Sequence, residues 1–174
     1  MSSLIKDCVA QFRFIPRATV LTFIILFAHL LIGCNSRNEA WTKFTSIMKK
    51  PWLVLFLLYL SYVLMCTLLS RNRFVPYKSV LKGFKLYENG KWRRECIENI
   101  LLFVPFIFSF LQVKPSSKSL TAAIMLAFLT SLFIELSQLI FWLGAFQISD
   151  LVYNVVGGVI GWLLWHAWTA LTGE

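Results

Sequence analysis

The amino-acid sequence predicts an all-α protein, a polytopic transmembrane helical bundle of about five helices with a basic interfacial loop. Hydrophobic residues make up 58% of the 174 residues and charged residues only 14%, whereas about a quarter of a typical soluble domain is charged. All 17 lysines and arginines fall outside the long apolar runs, as expected when lipid surrounds those runs. We therefore expect residues 1–174 to form a single integral membrane domain.

Five apolar runs account for the predicted helices, since a transmembrane helix needs about 17 to 25 mostly apolar residues. Pro51 suits the first turn of the second helix, where its missing N–H has no intrahelical partner to lose. The third run is strongly apolar only from Ile100, so its helix must begin near Ile97 to be long enough, and Asn99 is drawn into the membrane edge. The runs cover residues 18–33, 51–69, 97–113, 120–143 and 151–171.

The polar stretch 70–98 is the longest in the chain and carries eight of the lysines and arginines. It cannot cross a bilayer, because each central charge would cost about 3 kcal/mol. Two interpretations remain open for this loop. Its interleaved apolar residues favour a segment that lies on the membrane surface with the charges at the headgroups, but a plain solvated loop fits the composition equally well.

The distribution of positive charge predicts the orientation. With five spans and a cytoplasmic N-terminus, the segments on the inside hold eleven lysines and arginines and those on the outside hold six. Because cytoplasmic loops carry the excess of these residues, we expect the N-terminus and loop 70–98 inside and the C-terminus outside.

The net charge of +9 favours contact with anionic lipid headgroups. We expect no nucleic-acid partner, because no stacking surface of aromatic and basic residues accompanies the charge. Cys8, Cys34, Cys66 and Cys96 have no metal-binding or redox spacing and are interpreted as small apolar fillers. No histidine pair with metal spacing and no glycine-rich phosphate loop is present, so the sequence indicates no metal and no cofactor.

Four polar side chains lie in or beside the last two predicted helices. Glu135 and Gln138 are three residues apart and share one face of the fourth helix, while Asp150 and Asn154 are four apart and share one face of the fifth. The short turn 144–149 should bring these two faces together at one side of the membrane.

Three further residues fall on that side: Asn99 opens the third helix, and Arg71 and Arg73 follow the second. Acids, amides and arginines in one place indicate a ligand-binding cluster. The alternative is that the polar groups only hold the helices together through mutual hydrogen bonds. We favour function for Glu135, because an intramembrane carboxylate is costly, and an N-cap for Asp150.

Gly157 and Gly161 continue the face of Asp150 and Asn154 along the fifth helix. Two glycines four residues apart form a small-xxx-small pattern, which lets two helix backbones approach closely. We therefore expect this part of the face to be a helix-packing surface rather than a binding site.

Four short blocks follow one another along the chain, beginning at Arg71, Asn99, Glu135 and Asp150. They read RNRFVPYKS, NILLFVPF, ELSQ and DLVYNVVGGVIG. In this order, over about residues 70–165, they resemble the VanZ-like family of membrane proteins. The resemblance implies a multi-pass protein of the bacterial plasma membrane with a cell-envelope role linked to glycopeptide antibiotics, notably teicoplanin. It implies no particular reaction.

These observations lead us to expect a protein that binds an anionic envelope lipid or a lipid-linked cell-wall precursor. Lysines and arginines of the basic loop would hold a phosphate, and the polar cluster would orient the rest of the ligand. Two alternatives stay open. A membrane enzyme acting on a lipid phosphate could use Glu135 or Asp150 as general base, and a small proton-coupled transporter could use Glu135 as proton carrier.

Overall fold

The computed structural model describes residues 17–24, 39, 42–43, 46–47, 49–69, 87–88, 91–143 and 146–173. The chain divides into two compact units, Met1–Cys66 and Thr67–Glu174. In the first unit, residues 17–24 are helical, and helix α1 spans Pro51–Leu64 with Pro51 in its first turn. A π-helical turn, Met65–Leu69, follows α1. Most of the first predicted span lies outside the described residues.

The second unit contains a short hairpin followed by three long helices. Strands β1 (Tyr87–Glu88) and β2 (Lys91–Trp92) pair antiparallel, with Tyr87 opposite Trp92. The elements that follow are α2 (Arg94–Val113), a 3₁₀ turn (Pro115–Ser117), α3 (Leu120–Ile140) and α4 (Ile148–Thr172). The hairpin was not predicted, and the rest of the basic loop up to residue 86 lies outside the described residues.

Four helical segments in the described part of the chain are long and apolar enough to cross a membrane. This finding confirms the predicted class, an all-α polytopic bundle. Large apolar side chains point outward along these helices, as lipid-facing residues do. On α3 they include Leu129, Phe133 and Ile140, which are 55%, 61% and 65% exposed. The segments are Pro51–Leu68, Glu95–Val113, Leu120–Ile140 and Ile148–Thr172.

Helix α2 begins at Arg94, three residues before the predicted start at Ile97. Its first turn contains Glu95, whose carboxylate complements the positive end of the helix dipole and accepts a hydrogen bond from Arg93 at 3.0 Å. Residues 94–96, which the prediction placed in the loop, are therefore the first residues of the helix.

Helix α3 ends at Ile140, three residues before the end of the predicted span. The N–H of Leu143 donates to the carbonyl of Gln138 at 2.8 Å, and that of Trp142 donates to Leu139 at 3.4 Å. This pair of bonds forms a Schellman motif, whose left-handed position is usually glycine. Here Trp142 occupies it with φ 59°, so a bulky residue adopts a conformation that costs about 1–2 kcal/mol.

Helix α4 packs against α2 in parallel and against α3 in the antiparallel direction. A Cβ added at Gly157 would overlap the carbonyl oxygen of Ile100, and one added at Gly161 would overlap that of Val104. On the other side, a Cβ at Gly158 would come within 2.7 Å of the Ala127 Cβ. The missing side chains thus allow α4 to lie against both neighbours, which brings the polar ends of α3 and α4 together.

Candidate functional site

A polar face of α3 supplies one half of the candidate site. Ser131, Glu135 and Gln138 recur at helical spacing on the side of α3 that meets α4, and each is at most 2% exposed. Burial of a carboxylate and an amide in a membrane-spanning helix requires hydrogen-bond partners, because lipid offers none. The partners of these side chains therefore indicate what the face does.

Glu135 holds the start of α4. Its Oε2 atom accepts a hydrogen bond of 2.9 Å from the backbone N–H of Gln147, the N-cap residue of α4, whose own side chain makes no capping bond. The first N–H groups of a helix lack intrahelical partners and carry partial positive charge. The Glu135 carboxylate therefore serves at least a structural role, since it ties the end of α3 to the beginning of α4.

Asp150 does not cap α4, contrary to the expectation from sequence. The helix begins at Ile148, three residues earlier than such a cap would require, and Asp150 lies in its first turn. There the carboxylate still complements the helix dipole, and the hydroxyl of Ser149 donates to its Oδ1 at 3.4 Å. Asp150 is only 9% exposed.

The amides reach different partners. Gln138 donates from Nε2 to the backbone carbonyl of Thr67 at 3.0 Å. Asn154 donates from Nδ2 to the hydroxyl of Ser131 at 2.8 Å, which links α4 to α3. The other end of the Asn154 amide, Oδ1, is buried and has no hydrogen-bond partner. A buried acceptor without a partner is costly and calls for an explanation.

A second pair of side chains lies at the same end, between α2 and α4. The thiol of Cys96 interacts with the hydroxyl of Tyr153, and the charges of Arg93, Glu95 and Asp150 act on that thiol. Arg93, on the N-cap of α2, and Asp150, in the first turn of α4, thus both lie within electrostatic range of Cys96. Sequence reasoning missed Arg93, Cys96 and Tyr153, because their relation to Asp150 depends on the packing of α2 against α4.

The other residues expected at the site have simpler outcomes. Asn99 lies on α2 in the turn after Cys96 and is half-buried. Arg71 and Arg73 lie outside the described residues. The predicted site did not include Ser131. Its spacing of four residues from Glu135 places both side chains on one face of α3 and is the sequence signal for it.

The described side chains of this cluster include two carboxylates and the unpaired Asn154 carbonyl oxygen, which only accept, and several hydroxyls, which can accept or donate. Such a set suits a ligand that presents hydroxyl, amide or ammonium donors. Within the ranges that the structure covers, no group of three or more His, Cys, Asp or Glu side chains is placed to hold a metal ion.

The chain was compared with curated proteins, solved structures and protein-family models. No match was found among the curated proteins or the solved structures. The sequence model of the VanZ/LLP1 family matches residues 12–169, which confirms the resemblance drawn from four short blocks. The chain therefore belongs to the VanZ/LLP1 family and is a VanZ-like membrane protein linked to glycopeptide resistance.

Proposed function

We propose that this protein binds an anionic lipid of the bacterial envelope, or a lipid-linked cell-wall precursor, as a multi-pass protein of the plasma membrane. The binding site is the polar cluster of Glu135, Gln138, Asp150 and Asn154. The observation that carries the proposal is the Asn154 carbonyl oxygen, which is buried without a partner in the described structure. A buried acceptor of this kind is expensive unless a bound group pairs with it.

The chemistry of the cluster fits the polar part of such a ligand. Headgroups that contain sugars or short peptides present hydroxyl and amide donors, and these would pair with Asn154 Oδ1 and the carboxylates. The phosphate would lie among the lysines and arginines that precede α2, with Arg71, Arg73 and Arg93 as candidates. Altered susceptibility to the antibiotic would follow from binding of the lipid.

The variant Glu135→Gln separates ligand binding from folding. The glutamine Oε1 can still accept the N–H of Gln147, so the start of α4 stays tied to α3, while the negative charge is lost. We expect a strain that expresses this variant to lose its altered teicoplanin susceptibility, with the amount of folded protein unchanged. Lipid mass spectrometry on gently purified protein should show a headgroup-specific lipid with the wild type and at least a tenfold reduction in that lipid with the variant.

Glu39→Gln is the matched control, because it makes the same change at an exposed carboxylate that is not part of the cluster. It should leave both the copurifying lipid and the susceptibility unchanged. If Glu135→Gln kept full activity and the same lipid, or if activity simply followed the amount of folded protein, the cluster would be structural and the proposal would be wrong.

A further inference from the structure

The turn that follows α3 holds a tryptophan in a backbone conformation that usually belongs to glycine. Among the described residues, Trp142 is the only one other than glycine with a positive φ, 59°. The Schellman bonds at the end of α3 require a left-handed residue at this position, and glycine would adopt it without strain. Strained residues of this kind cluster at functional positions, so the presence of an indole here calls for an explanation.

The end of α3 projects from its surroundings. Gln138 is 1% exposed, but the next four residues, which are all apolar, are each more than half exposed. Successive residues around a helix end point in different directions, so the exposed surface is the whole tip of α3 rather than one face. The α3 tip consists of Leu139, Ile140, Phe141 and Trp142, which are 52%, 65%, 69% and 67% exposed.

The length of α3 places this tip at a boundary of the membrane. Leu120–Ile140 has 21 residues and is about 30 Å long at about 1.5 Å per residue. The hydrocarbon core of a bilayer is also about 30 Å thick, so Trp142 falls just outside one surface of the core. At the other end of α3, the indole of Trp162 donates to the backbone carbonyl of Lys118 at 2.8 Å, which places a second tryptophan near the opposite boundary.

The chemistry of the tip suits the boundary between hydrocarbon and water. An indole has an apolar ring and a polar N–H, and tryptophans are enriched at headgroup level for this reason. The other three side chains of the tip have no polar atom and suit the adjoining hydrocarbon. Contact of all four side chains with water would be unfavourable, and lipid around the tip removes that cost.

We infer that the α3 tip is an anchor in one interface of the bilayer. The indole of Trp142 lies among the lipid headgroups, and the three side chains before it lie in the outer part of the hydrocarbon core. The partner is the lipid surface itself. The anchor fixes the height of α3 in the membrane, and with it that of Glu135, which is seven residues earlier and therefore about 10 Å deeper. The inference does not depend on the ligand proposed for the cluster at Glu135.

The test measures the depth of individual indoles by fluorine NMR. Full-length protein labelled with fluorotryptophan is placed in nanodiscs of phosphatidylcholine and phosphatidylglycerol. A nitroxide is carried either on the lipid headgroup or at the end of the acyl chain, and it removes intensity from nearby resonances. Trp142→Phe and, independently, Trp142→Tyr identify the resonance of Trp142 by its loss, and unfolding temperatures verify that the variants fold.

Phe133→Trp is the matched control, because it adds an indole at a lipid-facing position of the same helix. Phe133 is 61% exposed and lies nine residues before Trp142, which is about 14 Å nearer the middle of the membrane. The resonance of Trp142 should lose most of its intensity with the headgroup label and little with the label at the chain end. The resonance added by Phe133→Trp should show the reverse.

Loss of the Trp142 resonance with the headgroup label alone, together with the reverse pattern in the control, supports the anchor. If Trp142 lost its intensity with the label at the chain end, the tip would lie inside the hydrocarbon core. If Trp142 kept its intensity with both labels while the control responded, the tip would contact protein or water instead of lipid. Either of the last two results overturns the inference.

Discussion

At the scale of single residues, Glu135 shows how one side chain can satisfy a structural need and still retain chemistry. One of its oxygens accepts the N–H of Gln147, which explains why a carboxylate is tolerated inside a membrane-spanning helix. Asn154 presents the complementary case. Its NH₂ group is paired, but its carbonyl oxygen is not. The first residue joins two helices, and the second carries the unpaired acceptor on which the proposed function rests.

The bond between Asn154 and Ser131 gives a prediction about stability. Ser131 is fully buried, so Ser131→Ala would leave the Asn154 NH₂ group without its acceptor while changing little volume. An unsatisfied buried donor costs about 1–3 kcal/mol. We therefore expect a lower unfolding temperature in detergent, measured by the fluorescence of the tryptophans.

Thr121→Ala is a suitable comparison, because it removes a hydroxyl from the exposed side of the same helix. It should leave the unfolding temperature nearly unchanged. If Ser131→Ala were as stable as the wild type, Asn154 would have found another acceptor, and the hydrogen bond between α3 and α4 would contribute little to stability.

At the scale of elements, the close contact of α2 and α4 depends on two glycines. Any side chain at Gly161 would meet the Val104 carbonyl oxygen and come within 3.3 Å of the Ile107 Cβ. A backbone carbonyl cannot move aside as a flexible side chain can, so the helices must separate. Because helix association in a membrane relies on close packing rather than on the hydrophobic effect, such a separation removes much of what joins α2 to α4.

We therefore predict that Gly161→Ala lowers stability by about 1–3 kcal/mol, the usual effect of overpacking, and that Gly161→Leu lowers expression as well. The measurement is thermal unfolding of purified protein together with the amount found in the membrane fraction. Ala167→Leu is the control, since Ala167 is exposed on the same helix. Equal stability of all three variants would mean that α4 does not meet α2 through this face.

The sequence predicts helices better than it predicts their ends and partners. The apolar runs identified α1, α3 and α4, because a bilayer requires long stretches without charge. Local interactions explain why the observed ends differ from the predicted ones. Glu95 in the first turn of α2 lets that helix begin earlier, and the Schellman motif at Trp142 ends α3 earlier. The hairpin at 87–92 does not follow from the hydrophobic periodicity of the basic loop. The dipeptide Asn89-Gly90 is the sequence signal for it, because Asn-Gly favours a two-residue hairpin turn.

The site was harder to predict than the helices, because it depends on which helices pack against each other. Spacing along one helix shows which residues share a face, so Glu135 and Gln138 could be grouped. It cannot show which helix packs opposite, so the relations of Asn154 to Ser131 and of Cys96 to Tyr153 required the fold. The glycine pattern likewise indicated a helix contact without indicating that α2 is the partner.

At the scale of the whole second unit, polarity differs between its two ends. The end that holds Glu135, Asp150 and Asn154 combines buried carboxylates with the arginines at the start of α2. The other end holds the exposed Lys114 and Lys118. Because α2 and α4 run parallel and α3 runs opposite to them, we expect each end to lie at one side of the membrane. A protein built in this way can present different chemistry to the two leaflets.

The arrangement of α2, α3 and α4 also makes the predicted orientation testable in two independent steps. Three spans separate loop 70–93 from the C-terminus, so these two places must lie on opposite sides of the membrane. From the excess of lysine and arginine in the loop we predict that it lies in the cytoplasm. Green fluorescent protein fused after residue 90 should fluoresce and alkaline phosphatase there should be inactive, whereas fusions after residue 174 should behave in the opposite way. Identical results at both positions would contradict the three-span arrangement, and opposite results with the signs exchanged would show that the arrangement is right and the orientation wrong.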